Sequence, residues 1–165
     1  DYQFAYYGGR VLAGFQVKRD SEEIDDLVNI LRVNQNSIVV IDSDRKKATD
    51  RINNTKARIK GECEILGLHC WITHGREIEN YIPPRILEQL YSLDNGSLDI
   101  KRFDKIEDKL QLAFTRSGIK GFDYSKRKTQ YANQISKQIK KEDMSEELMK
   151  QISKIENFIR IASRY

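Results

Sequence analysis

The sequence predicts an α/β fold: a parallel sheet flanked by helices, followed by a C-terminal helical segment. Three observations predict it. Short runs rich in β-branched or aromatic residues stand at Tyr2–Tyr7, Ser37–Ile41 and Leu68–Thr73. Helical periodicities fill the stretches between them, so the order is strand, helix, strand, helix, strand. Beyond the turn Asp94-Asn95-Gly96-Ser97 every pattern is helical. A βαβ succession of this kind implies parallel strands joined by right-handed crossovers. The expected division is a sheet domain over 1–95 and a helical extension over 96–165.

The elements follow in order. Tyr2–Tyr7 ends at Gly8-Gly9, a strand stopping in a tight turn. Ser21-Glu22-Glu23 reads as a helix start, with Ser as N-cap and acids in the first turn, and Ile24, Leu27, Val28 and Leu31 recur at helical spacing. Ser37–Ile41 is a short β-branched run of the kind buried on both faces of a parallel sheet. Asp50–Gly67 reads as a long charged helix ended by Gly67. Leu68–Thr73 is the next strand. Pro83-Pro84 opens a helix running to about Leu90. Phe103–Leu112 is a short amphipathic helix, and Ser125–Lys141 a basic one. Ser145–Ala162 carries Leu148, Ile152, Ile155 and Ile159 on one stripe, with Ser145-Glu146-Glu147 as its cap. That stripe is expected to pack on the sheet or on a neighbouring subunit.

Composition narrows the class. The chain of 165 residues is long enough for a real core, and 39% hydrophobic content is too apolar for a disordered chain. A net charge of +4 fits a nucleic-acid partner, as it fits others. Between Lys120 and Lys141 the basic residues face a single acid, Asp123. Two cysteines, Cys63 and Cys70, argue against a disulfide scaffold and suit the reducing cytoplasm. No apolar run approaches the roughly 20 residues of a membrane span. The chain opens on Asp1, directly in strand-like sequence and without a leader pattern, which reads as a piece of a longer protein.

Open α/β sheets gather function at the carboxyl ends of their strands. Three groups fall there: Gly8-Gly9, Asp42-Ser43-Asp44-Arg45, and Thr73-His74-Gly75-Arg76-Glu77-Ile78-Glu79-Asn80. Asp42 and Asp44 would therefore face Glu77 and Glu79 across strand ends. Carboxylates so crowded repel one another, and a hard divalent cation resolves the conflict, with phosphate completing its shell. The bland readings stand beside this one. A D-x-D also suits a turn or a helix N-cap. Glu77 and Glu79 also suit the first turn of a helix, Arg76-Glu77 a surface pair, and Asn80–Pro84 plain architecture. His69, Cys70, His74 and Cys63 suggest zinc only weakly, because His69 and Cys70 point to opposite faces of a strand.

Together, Ile38-Val39-Val40-Ile41-Asp42-Ser43-Asp44-Arg45, the later Ile72-Thr73-His74-Gly75-Arg76-Glu77-Ile78-Glu79-Asn80-Tyr81-Ile82-Pro83, and the preceding Tyr7-Gly8-Gly9 resemble a Toprim domain. More narrowly, they resemble the C-terminal Toprim domain of the OLD (overcoming lysogenization defect) family of ATP-dependent endonucleases. The likeness covers roughly residues 2–90, and Arg76–Tyr81 is its specific part. It implies a Rossmann-like Toprim sheet that binds Mg²⁺ or Mn²⁺ and cuts or nicks DNA. Asp42 and Asp44 match the metal-binding D-x-D, Glu79 the acid of the Glu-Asn-Tyr motif with Glu77 as its substitute, and Gly8 and Gly9 the turn beside the metals. Lys128, in Lys128-Thr129-Gln130-Tyr131-Ala132, matches the family's assisting lysine, with Lys120, Lys126 and Arg127 close by. Arg45, Arg76, Lys126 and Arg127 would hold phosphates or offset the carboxylates.

The family's first-strand motif, a Glu followed by Gly and then Asp, does not occur here, and neither does a P-loop. The resemblance therefore implies a Toprim core lacking its first strand. An ATPase domain upstream in the same protein would use ATP, the full-length protein would be a homo-oligomer, and its biological role would be antiphage defence. This segment alone would bind metal poorly and cut weakly or not at all. The alternatives are a primase- or topoisomerase-type Toprim domain, a non-catalytic Toprim module that binds nucleic acid or a partner, and a receiver-like phosphoacceptor.

Overall fold

The computed structural model describes residues 36–119 and 124–162. The expected strand at Tyr2–Tyr7, the turn Gly8-Gly9 and the helix from Ser21 lie outside these residues. Among the described residues the protein is mixed α/β, with a two-stranded parallel sheet and five α-helices. None of these helices is long and apolar enough to cross a membrane. The chain forms two compact units, interleaved in sequence.

The first unit includes β1 (Ile38–Ile41), α1 (Asn54–Ile65) and β2 (His69–Ile72). The strands run parallel, with Ile38 opposite His69 and Ile41 opposite Ile72, and α1 is the crossover between them. Asn53 starts α1 by accepting the Lys56 N–H at 2.8 Å. Asp50, expected inside the helix, instead closes the preceding turn: its carboxylate accepts the N–H groups of Lys46 and Lys47 at 2.9 and 3.2 Å. Gly67 ends α1 with φ +71°. The Gly67 and Leu68 N–H groups donate back to the Glu64 and Cys63 carbonyls, a Schellman closure that needs a residue at ease in the left-handed region. Leu68 and Cys63 then meet in the core with Ile59, and Val39 and Ile41 of β1 pack against them. The period-two alternation turns Val40 the other way, where it is 48% exposed. β1 is thus covered on one face, not on both as its composition suggests.

The second unit, Asp42–Arg51 with Thr73–Lys150, holds a 3₁₀ turn (Ile78–Tyr81) and α2 (Pro84–Leu90). It also contains α3 (Ile106–Arg116), α4 (Tyr124–Ser136), a 3₁₀ turn (Lys141–Asp143) and the first residues of α5 (Glu146–Ala162). Its core is one apolar cluster. From α2 come Ile86 and Leu87; from α3, Ile106, Leu110, Ala113 and Phe114; from α4, Tyr124, Tyr131 and Ile135. The α3 positions are spaced as one helical face. Tyr91 stands edge-on to Phe114 and Tyr131, and Tyr124 stacks on Tyr131 with centroids 5.8 Å apart. These rings anchor α4 by one face and leave Lys126 and Arg127 exposed, while Lys128, one turn after Tyr124, lies on the anchored side. The α5 stripe of Leu148, Ile152, Ile155 and Ile159 is half-buried.

Candidate functional site

The segments that follow β1 and β2 are stitched together within the second unit. The Ser43 N–H donates to Thr73 Oγ1 at 2.8 Å, and the Ser43 hydroxyl donates to the Gly75 carbonyl at 2.5 Å. Both side chains are buried, so each bond replaces water that the groups have lost. Asp44 takes a left-handed conformation, φ +56°, which Asp tolerates better than most residues, and its N–H donates to the Arg76 carbonyl at 2.9 Å. Gly75 lies against Arg102 and Asn80. A Cβ there would stand 2.8 Å from the Arg102 carbonyl oxygen and 3.1 Å from Asn80 Cβ, so only glycine fits.

Asn80 organises the turn that carries the glutamates. Its Oδ1 accepts the Glu77 N–H at 2.8 Å, and its Nδ2 donates to the Asp104 and Lys101 carbonyls at 2.9 and 3.2 Å. The turn then offers the Ile78 N–H to Asp42 Oδ1 at 2.7 Å. Asp42 is thereby tied to the loop that bears Glu77 and Glu79.

The result is a cluster of carboxylates, Asp42, Glu77 and Glu79, with Lys128 and Arg76 beside it. Glu79 is 7% exposed; its Oε1 pairs with the Lys128 ammonium, while its buried Oε2 has no hydrogen-bond partner among the described residues. Burial lifts Asp42 above its ordinary value; the Ile78 amide opposes the lift and the Glu79 charge adds to it. Burial likewise pushes Glu77 up to about 7, helped by the charges of Glu79 and Asp42 and resisted by Lys128 and Arg76. Arg76 Nε lies 3.6 Å from Glu77. For Lys128, burial works against the charged form, but the hydrogen bond to Glu79 and the charges of Glu79, Glu77 and Asp42 outweigh it. Tyr124 is raised by burial and by the same glutamates.

The structure thus brings together Asp42, Glu77, Glu79 and Lys128, with Arg76 on Glu77 and Asp44 in electrostatic reach of Asp42. Arg45 turns elsewhere: its guanidinium donates to the His74 carbonyl at 2.7 Å and lies over the Phe103 ring. Lys126 and Arg127 are exposed on α4. Gly8 and Gly9 lie outside the described residues. The sulfurs suggested for zinc belong to the first unit, where burial pushes the Cys70 thiol up to about 12, and burial raises Cys63 as well. Sequence reasoning missed Ser43, Thr73 and Glu147 as site-building residues, and their bonds span 30 residues or more, beyond any local pattern.

Crowded carboxylates with an unpartnered buried oxygen form a donor set of the kind that a hard divalent cation takes. Asp42, Glu77 and Glu79 fit Mg²⁺ or Mn²⁺ in donor type and charge. Among the described residues no three His, Cys, Asp or Glu side chains already converge as a ligand shell. No family model matches the chain, and no curated protein or solved structure shows significant similarity to it.

Proposed function

We propose that the chain is a Toprim-type nuclease segment of the OLD kind, with a Rossmann-like sheet, acting in metal-dependent hydrolysis of DNA phosphodiesters. One observation carries this reading: Asp42, Glu77 and Glu79 stand in electrostatic reach of one another and of Lys128, with one buried oxygen of Glu79 unpartnered among the described residues. Two of these acids are pushed toward protonation, and perturbed carboxylates of this kind cluster at functional sites. Mg²⁺ or Mn²⁺, when bound, supplies charge to offset the phosphate and lowers the pKa of attacking water. Asp42, Asp44 and Glu79 would hold it, with Glu77 as substitute. Lys128, within reach of the same acids, would offset charge developing on phosphate oxygens. Arg76, Lys126 and Arg127 would bind the DNA backbone. The upstream ATPase domain, homo-oligomerisation, cytoplasmic setting and antiphage role belong to the same proposal.

The test replaces Asp42 and Asp44 by alanine in the full-length protein, using a supercoiled plasmid with Mg²⁺. Cleavage should disappear while the circular-dichroism spectrum stays that of the parent. Undiminished Mg²⁺-dependent cutting would sink the proposal. Linear or nicked products support a nuclease, and relaxed closed circles a topoisomerase-type domain.

The Lys128–Glu79 pair, formed where no three ligands converge among the described residues, favours a second reading: a non-catalytic module that binds nucleic acid or a partner. DNA retention by the parent without any cutting in Mg²⁺ or Mn²⁺ would select it.

A further inference from the structure

We infer that Glu147 is a positioning residue: one carboxylate in the first turn of α5 holds both ends of the loop that carries Glu77 and Glu79. This rests on the metal-site reading above. The geometry is a closed circuit. The backbone N–H of His74, at the start of the loop, donates to the Tyr81 hydroxyl oxygen at 3.0 Å. The Tyr81 hydroxyl, at the end of the loop, lies 2.6 Å from Glu147 Oε1. A backbone amide can only donate and a carboxylate can only accept, so the direction of both bonds is fixed: the hydroxyl accepts from His74 and gives its proton to Glu147. The second oxygen, Oε2, lies 3.1 Å from Nδ1 of the His74 ring and 3.7 Å from the Arg102 guanidinium.

The two oxygens therefore divide the work. One fixes residue 81, the other residue 74, and the acids lie between. Asn80 braces the same loop separately, through the Asp104 and Lys101 carbonyls. Glu147 adds a side-chain tie at each end of the loop, beside the Arg45 bond to the His74 carbonyl. Those ends set how Glu77 and Glu79 stand against Asp42, whose Oδ1 is bound to the Ile78 amide within the loop. An O–H···O⁻ bond of 2.6 Å is in the short, charge-assisted range, about twice as strong as a neutral one. Glu147 acts on the acids only through Tyr81 and His74. Residues that orient metal ligands from behind in this way commonly change metal affinity about 10–100-fold when removed.

The experiment uses the full-length protein and Mn²⁺ as probe, with affinity read by calorimetry and amide hydrogen exchange read without metal. Glu147→Ala should raise the Mn²⁺ Kd about tenfold or more and speed exchange of the Ile78 amide. Glu147→Gln, which keeps an oxygen for the Tyr81 hydroxyl, should restore both. Tyr81→Phe, which leaves Oε2 on the His74 ring, should lose part of what Glu147→Ala loses, and the two together should lose no more than Glu147→Ala alone. If Glu147→Ala does not fold, Glu147→Gln and Tyr81→Phe carry the test: equal effects from both, or none from Tyr81→Phe, overturn the inference. Parent-like affinity and exchange in Glu147→Ala overturn it while leaving the metal site standing. A parent that takes up no Mn²⁺ overturns the metal site instead. Exchange at Ile78 then judges the clamp alone, and exchange unchanged by Glu147→Ala rejects it.

Discussion

Glu77→Gln isolates the electrostatic cost of the carboxylate cluster. Burial and the Glu79 charge push Glu77 from an ordinary 4.5 up to about 7, despite Arg76 at 3.6 Å. Between these values the folded chain holds a proton that the unfolded chain has released. Stability must then fall as pH rises through the window, because the unfolded state binds fewer protons there. The full contribution is present below 4.5 and is lost above 7. At about 1.4 kcal/mol per pH unit, the lift amounts to about 3 kcal/mol as an upper value. Urea midpoints of parent and Glu77→Gln, taken with chelator at pH 4.5, 6 and 8, read it directly. The parent should lose stability relative to the glutamine variant as pH rises, and added Mg²⁺ should recover much of the loss at pH 8. Mg²⁺ affinity should itself climb with pH up to about 7, since the ion displaces the proton. Parallel stability profiles for parent and variant would refute the reasoning, because they would mean that Glu77 ionises without feeling its neighbours.

Two further outcomes follow from the packing of the loop. Gly75→Ala should destabilise by about 1–3 kcal/mol in chemical denaturation, since its Cβ meets the immovable Arg102 carbonyl oxygen at 2.8 Å. Asn80→Ala removes three hydrogen bonds and should cost about 2–4 kcal/mol at roughly 1 kcal/mol each. Asn80→Asp should recover little of it, because a carboxylate can keep the Glu77 amide but faces the Lys101 and Asp104 carbonyls with no donor.

Local signals made the framework legible. β1, β2 and α2 fall where β-branched runs and Pro83-Pro84 put them, and Gly67 stops α1 as a left-handed glycine should. Boundaries drifted where a side chain did something the pattern does not encode. Asp50 caps a turn, so α1 waits for Asn53. Asp104 accepts the Lys101 N–H at 2.8 Å and Phe103 lies under Arg45, so α3 starts at Ile106 rather than Phe103. α4 stops at Ser136 instead of running to Lys141. In the site, acids at strand ends are a local motif and could be seen. That Asn80 is the organiser, that Arg45 is committed to His74, and that Glu147 reaches Tyr81 across 66 residues are products of the fold. Neither periodicity nor spacing records such partners.

The interleaving of the two units has a practical bearing on any attempt to dissect the protein. The chain passes from one unit to the other after residues 41, 51, 72 and 150. No single cut therefore releases either unit as a continuous polypeptide. A stop after Lys150 would keep every acid of the cluster, and Glu147 with them, yet strip the first unit of its last segment. A start at Asp42 would keep the same acids and discard β1, leaving β2 without its partner strand. Truncations that look conservative on paper would thus report on mutilated folds, and point substitutions are the sounder way to ask what each carboxylate does.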